Sequence, residues 1–540
     1  MLNRRDFLRM GGLCTASLLA GCRVASQRKT AERPNIVFIM SDDHASHAVG
    51  CYGSRINETP HIDRLAREGM RFENCFCTNS ICSPSRAVIL TGKYSHINGM
   101  IVNIYAGRPF DGSQQTYPKL LQQNGYETAM IGKWHLGSTP TGFDHWEILP
   151  GQGSYYNPDF IQMDGSRKRY EGYCTDLITD MSIDWIEKQR DRDKPFLLIS
   201  QHKAPHRCWS PAPRHLGRYK HGTIPEPETL FPDHSKRSPA SDESEMSVRD
   251  HFHWSHDMKF RGENLFPDHF RSQHAHGEYP RMTPEQKAQW DAHYEPENQA
   301  FVEQMRAGKL TDDDVVRWKY QRYMHDYLGT IEAVDEGVGR LLDYLDESGL
   351  ADNTIVVYTS DQGFFLGDQG WYDKRFMYEE SLRMPLLVRW PKQVRPGRVS
   401  DAMVLNLDFA STFLDAADTA VPADIQGESF VPILRGRRPA NWRKAMYYHY
   451  YEYPAVHQVK RHYGIRTERY KLIHFYYDID AWELYDLRND PHEWNNLYDD
   501  PKYARLVKRL KAELAELRAR YGDSDELTRR FLPEAAGQAG

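Results

Sequence analysis

The chain has 540 residues, 40% hydrophobic and 27% charged, with a formal net charge of −6 at pH 7. That balance belongs to a folded globular protein long enough for one large domain and a smaller one, and it excludes a disordered or fibrous chain. The negative charge gives no general electrostatic basis for binding nucleic acid, so recognition of any anion has to be local.

The N-terminus reads as an address. Asn3-Arg4-Arg5-Asp6-Phe7-Leu8-Arg9 resembles a twin-arginine export signal, and the apolar stretch after it, ending near Ala20, is short for a membrane span. Leu19-Ala20-Gly21-Cys22 resembles a bacterial lipobox, in which Cys22 would carry a lipid and become the mature N-terminus. Residues 1–33 are thus expected to be signal and polar tether. Passage through the twin-arginine machinery would leave the chain periplasmic or, the favoured reading, lipid-anchored to the bacterial envelope.

Asn35-Ile36-Val37-Phe38-Ile39-Met40 is an apolar run of strand length, suited to a strand buried on both faces, and it leads into Asp42-Asp43. Residues 59–69 predict a helix with Pro60 at its first position and Gly69 at its end. Helix is then expected over 117–125, strand over 126–131, helix over 176–188, strand over 195–200 and helix over 318–350. Strands are expected over 354–359 and 385–390. This alternation predicts an α/β domain over 34–435, a large mixed, mostly parallel sheet sandwiched by helices. Residues 233–310 interrupt it with His, Asp, Arg, Pro and Ser, and read as a polar insertion, substrate-proximal or solvated, rather than a metal-binding tract. Aromatic, β-prone runs at 446–453, 463–477 and 483–487, followed by an amphipathic helix at 503–521, predict a C-terminal α+β subdomain over 436–525, with 526–540 as a tail. Eight cysteines occur, at 14, 22, 51, 75, 77, 82, 174 and 208, without zinc-type Cys-x-x-Cys pairs, and their spacing specifies no disulfide pairing.

Residues 82–92 read Cys-Ser-Pro-Ser-Arg-Ala-Val-Ile-Leu-Thr-Gly. Cys82, Pro84, Ser85 and Arg86, followed by Leu90-Thr91-Gly92, resemble the signature of the type I sulfatases of the alkaline phosphatase superfamily. The resemblance implies that a maturation enzyme reading Cys82, Pro84 and Arg86 oxidises the cysteine to formylglycine. One hydroxyl of the hydrated aldehyde would attack sulfur, and the other would later expel sulfate from the covalent intermediate.

The resemblance extends over most of residues 35–521. Asp42 and Asp43, with Asp361 and Gln362, follow two predicted strands, and such oxygen donors suit calcium, with magnesium the alternative. In the family the matching positions, with the formylglycine from Cys82, hold calcium; Gln362 stands where Asn is usual. Arg86 falls one helical turn beyond Cys82 on the same face, in reach of the aldehyde hydrate. Lys133 resembles the family lysine that binds sulfate, and His135 the histidine that contacts the formylglycine hydroxyl. His206 resembles a sulfate-binding histidine and Lys374 the second sulfate-binding lysine, either of which could serve as general acid. Residues 203–209 and 373–381 resemble bacterial glycan sulfatases, which implies a sulfated carbohydrate substrate, best matched by 6-O-sulfated N-acetylglucosamine. Tyr448, His449, Tyr451, His457, Arg461 and His462 would either ring the sugar or pack at the subdomain interface. Two alternatives stand: a phosphonate monoester or phosphodiester hydrolase of the same superfamily, and an inactive glycan-binding lipoprotein.

Overall fold

A computed structural model describes residues 33–104, 108–220, 222–261 and 277–535. The expected signal, the tether with Cys22, part of the 233–310 insertion and the end of the tail lie outside the described residues. The large sheet contains β1 (Asn35–Ser41), β2 (Met70–Phe76), β3 (Glu127–Lys133), β4 (His145–Leu149), β5 (Asp159–Ile161), β6 (Arg167–Arg169), β7 (Phe196–Gln201), β8 (Thr354–Ser360), β9 (Arg383–Met384), β10 (Leu386–Arg389) and β11 (Arg398–Leu405). Their spatial order is β11-β2-β10-β8-β1-β7-β3-β4-β5-β6, with β9 paired to β2. The central five, β8-β1-β7-β3-β4, are all parallel, while β10 lies antiparallel between β8 and β2.

The main helices are α1 (Pro60–Glu68), α2 (Cys82–Thr91), α3 (Cys174–Asp184), α4 (Pro284–Arg306), α5 (Asp312–Glu347), α6 (Asp408–Ala416) and α7 (Ala504–Arg520). Side chains alternate across a strand, so β1 feeds two cores. Ile36, Phe38 and Met40 pack with Ala87 and Val88 of α2 and Phe409 and Phe413 of α6. Val37 and Ile39 pack with Ile62 and Leu65 of α1, Ile178 of α3 and Val334 and Val338 of α5. This is the expected sandwich. Helix α5 starts before the expected residue 318 because Thr311 and Asp314 form a capping box there.

The insertion is less solvated than its composition suggests. Met246, Val248, Phe252, Trp254, Met258 and Phe260 are buried, and α4 starts from a second capping box at Thr283. The few apolar residues are large, and they nest together: the Trp254 ring centre lies 5.4 Å from Phe260 and 5.5 Å from Phe301.

The small sheet is antiparallel: β12 (Ala445–Tyr450), β13 (His462–Thr467), β14 (Tyr470–Phe475) and β15 (Ala481–Asp486), packed by Leu510 and Leu514 of α7. The expected single run at 463–477 is a hairpin. Its turn carries no glycine; Thr467 Oγ1 accepts from the Tyr470 amide at 2.9 Å and donates to the Tyr470 carbonyl at 3.0 Å. Of the six proposed sugar-facing residues, Tyr448, His449, Tyr451 and His462 are buried packing. His449 stacks on Tyr451 at 3.7 Å, and His462 lies between Tyr448 and Tyr450.

His462 carries a pH signature. Its Nδ1 donates to the Lys460 carbonyl at 2.8 Å and its Nε2 accepts from the Met377 amide at 3.0 Å, so the neutral ring is satisfied at both ends. Burial pushes its pKa down to about 3. A depressed histidine pKa means the unfolded chain takes up the proton first, so stability falls as pH drops from about 6.5 towards 3. Between pH 8 and pH 5 the wild type is expected to lose about 2 kcal/mol more than His462→Gln in urea denaturation.

Candidate active site

Parallel strands deliver their carboxyl ends to one edge of the sheet, the usual place for a site in such folds. Asp42 and Asp43 follow β1, Lys133 ends β3, His206 lies beyond β7, and Asp361 and Gln362 follow β8. Cys82 enters at the same edge as the first residue of α2, a helix buried along its whole length. The Ser83 amide, one of the helix's open donors, is taken by Asn103 Oδ1 at 3.0 Å. Asp43 has φ 66°, a conformation aspartate tolerates, and its carbonyl accepts from Tyr327 Oη at 2.8 Å. Gly132 allows β3 to come this close: a Cβ there would sit 2.0 Å from the Gln201 carbonyl.

Every catalytic and metal-binding residue expected from the sequence comes to this edge. Cys82 Sγ lies 3.5 Å from Asp42 Oδ1 and 3.9 Å from Gln362 Nε2. Arg86 stands behind it, donating to Asp361 Oδ2 at 3.0 Å, the Lys133 carbonyl at 2.8 Å and Gln201 Oε1 at 2.7 Å. Lys133 Nζ pairs with Asp42, and Lys374 Nζ takes both Asp43 oxygens at 2.6 and 2.7 Å. His206 donates from Nδ1 to the Arg207 carbonyl at 2.5 Å, which aims Nε2 at Asp43 Oδ2, 3.9 Å away. His135 Nδ1 lies 3.4 Å from Ser83 Oγ, next in sequence to Cys82.

Burial, reinforced by Asp361 and Asp43 and opposed by Lys374, pushes the Cys82 thiol up to about 12. The side chain is therefore not a thiolate at neutral pH. Burial also raises Asp43 to about 6 against the pull of Lys374. His206 is held well below the ordinary histidine range by burial and by Lys133, Lys374 and Lys203. Lys133 is lowered by burial, whereas Asp43 keeps Lys374 above the ordinary lysine range despite its burial.

Several polar groups beside the site were given no individual role from the sequence. Gln201 holds Arg86, and Asp373 and Glu452 hold Arg375 beside Lys374 at 3.1 and 3.0 Å. Lys203 lies with its ammonium over the Tyr155 ring and lines a cleft of about 990 Å³ beside His206, together with His457, Arg207 and insertion residues including His251 and His256. Arg207 is fixed by Asp257 of the insertion at 2.7 Å. The one available signal was a polar residue closing an apolar buried strand, as Gln201 closes β7.

The residues present fit a divalent cation. Asp42, Asp43 and Asp361 each offer an oxygen within 4.8 Å of the others, a hard set suited to calcium or magnesium. Gln362 adds an amide whose Oε1 is buried without a hydrogen-bond partner among the described residues and which a half-turn would present to the carboxylates. With three carboxylates matched by Arg86, Lys133 and Lys374, a dication among them leaves a local surplus of positive charge. A net-negative chain thereby gains a place for an anion.

Such a site suits hydrolysis of an anionic ester. Residues 34–419 match the Sulfatase family, and residues 367–520 match the C-terminal family of N-sulphoglucosamine sulphohydrolase. The chain belongs to the sulfatase family and is a sulfuric ester hydrolase. It is 51% identical over 513 residues to N-acetylglucosamine-6-O-sulfatase of Bacteroides thetaiotaomicron, covering 94% of this chain and 90% of that one. Identity to an ulvan-active sulfatase of Formosa agariphila is 26% over 516 residues, 93% and 84% of the two chains. Its fold matches the solved structure of BT4656 in complex with its substrate, D-glucosamine-2-N,6-O-disulfate, with a TM-score of 0.86 at 51% identity, covering 92% of this chain and 99% of that one.

Proposed function

We propose that this enzyme removes 6-O-sulfate from glucosamine-type residues of a glycan, with Cys82 matured to formylglycine and calcium held by Asp42, Asp43, Asp361 and Gln362. The observation that carries the substrate is the 51% identity along 94% of the chain to an N-acetylglucosamine-6-O-sulfatase. Once formed and bound, the aldehyde hydrate and the cation supply an acidified oxygen nucleophile. Lys133 and Lys374 are now paired with Asp42 and Asp43; with a cation bound there, Lys133 would hold a sulfate oxygen and Lys374 would face the leaving ester oxygen. Arg86 fixes Asp361, and through it the geometry behind residue 82. His135 and His206 complete the wall around the ester, and the cleft lined by Lys203, His457 and Arg207 receives the sugar.

Sulfate release from N-acetylglucosamine-6-sulfate, galactose-6-sulfate and a 2-O-sulfated uronate, compared with phenol release from an aryl phosphodiester, tests the reading. Fastest turnover of the first supports it, and preference for the phosphodiester replaces it with the phosphonate monoester or phosphodiester hydrolase alternative. Dialysis against a chelator is expected to cost at least about 100-fold in rate. Calcium should restore it better than magnesium, and failure of both to restore it counts against the metal assignment. We further propose that Arg4-Arg5 and Cys22 deliver the enzyme to the bacterial envelope as a lipoprotein. A lipidated Cys22 at the mature N-terminus, detected by mass spectrometry, is the expected result.

A further inference from the structure

A second cluster of ligating side chains lies outside the catalytic edge, in a cavity of about 840 Å³ between the large sheet and the small one. Asp368, Glu380 and His492 each bring one donor atom within 4.8 Å of the others. His47 Nε2 stands 3.3 Å from Asp368 Oδ2. Two imidazoles and two carboxylates are a different chemistry from the all-oxygen set at the catalytic edge. They are the mixed nitrogen and oxygen donors that tetrahedral zinc takes, whereas calcium prefers six or more oxygens.

The surroundings are built to present these donors. Thr229 Oγ1 donates to Asp368 Oδ1 at 3.1 Å, which fixes that carboxylate and turns Oδ2 towards His47. The His492 carbonyl accepts from Gln369 Nε2 at 2.7 Å and Arg237 Nη2 at 3.1 Å, tying the histidine's backbone to the residue after Asp368. Glu380 Oε2 is buried without a hydrogen-bond partner among the described residues. A buried, unmet carboxylate oxygen beside a second carboxylate is costly unless a proton or a cation meets it, and the neighbouring imidazoles favour the cation.

We propose that Asp368, Glu380 and His492, joined by His47, form a second divalent-cation site of the zinc type. Asp368 and Glu380 flank the segment that carries Asp373, Lys374 and Arg375, and His492 belongs to the C-terminal region that follows β15. A metal here clamps both ends of the Lys374 segment to the small sheet. The site is structural and does not depend on the identity of the sugar cleaved.

Cobalt titrated into chelator-stripped, calcium-saturated enzyme tests this directly. The expected result is one equivalent with the strong visible absorption of tetrahedral cobalt, displaced by zinc, and a thermal midpoint that rises with zinc. Asp368→Asn and His492→Ala are each expected to weaken cobalt binding by at least about tenfold. Asp361→Asn, at the catalytic edge, should leave the absorption intact. If one of the first two variants fails to fold, the other and His47→Ala carry the same reading. Only weak, octahedral-type absorption, or tetrahedral binding untouched by these variants, overturns the proposal, and neither outcome alters the assignment of the catalytic edge.

Discussion

Cys82→Ala and Cys82→Ser are expected to lose at least about 10⁴-fold in kcat, with melting midpoints close to wild type. Alanine cannot be matured to an aldehyde, and serine only by an enzyme that oxidises an alcohol, so Cys82→Ser is made where the maturation enzyme takes cysteine alone. Serine keeps an oxygen near Asp42 but has only one hydroxyl, so it lacks the exit that a second hydroxyl on the same carbon provides. Neither replacement is larger than the buried cysteine, whose thiol faces the polar groups Asp42 at 3.5 Å and Gln362 at 3.9 Å, so the fold should survive. Maturation is read separately, by mass. Trypsin cuts after Arg71 and Arg86, so the peptide from residue 72 to residue 86 holds Cys75, Cys77 and Cys82. Conversion at Cys82 lowers its mass by about 18 Da and leaves two thiols to alkylate instead of three. Full mass together with full activity would remove formylglycine from the account. Full mass without activity would bring forward the glycan-binding alternative.

Part of the site was legible in the sequence where the chain changes character, and the rest, His135, His206 and Lys374, through the family resemblance. Asp42-Asp43 and Asp361-Gln362 follow apolar strands, Lys133 closes one, and Cys82 opens a helix whose motif is contiguous. Parallel β1, β3, β7 and β8 then make convergence a matter of topology, since their ends must share an edge. The alternation that predicted the sandwich likewise follows from burial on both faces, which leaves near-continuous apolar runs. What stayed hidden depends on partners far away in sequence. Arg207 gains its function from Asp257, Arg375 from Glu452, and Lys203 from Tyr155, and none of these pairings leaves a local pattern. The buried core of the insertion was hidden for a related reason. Its core is made of a few large rings that find Phe301 and Trp318 on other elements, so composition alone registers only the polar residues around them.

Lys374→Ala is expected to cost about 10³-fold in kcat/KM on a sugar sulfate but far less on 4-nitrophenyl sulfate. A sugar hydroxyl leaves as a strongly basic alkoxide and needs a proton, whereas nitrophenolate does not. His206 and Lys374 are the two candidates to supply it. In His206 the only hydrogen of the neutral ring is committed at Nδ1 to the Arg207 carbonyl, 2.5 Å away. Burial and three lysines hold the ring neutral, so Nε2, the nitrogen that faces Asp43, has no proton to give. Lys374 is the reverse case, since its ammonium has protons to give and stands in the site 2.6 and 2.7 Å from the Asp43 oxygens. His206→Gln keeps an amide near the same place, and it should show similar losses on both substrates, mainly in KM. The two variants thus separate an acid from an anion-binding neighbour. A leaving-group-dependent loss in His206→Gln, with a uniform loss in Lys374→Ala, would transfer the proton to the histidine. It would also require the Nδ1 contact to Arg207 to persist in a doubly protonated ring.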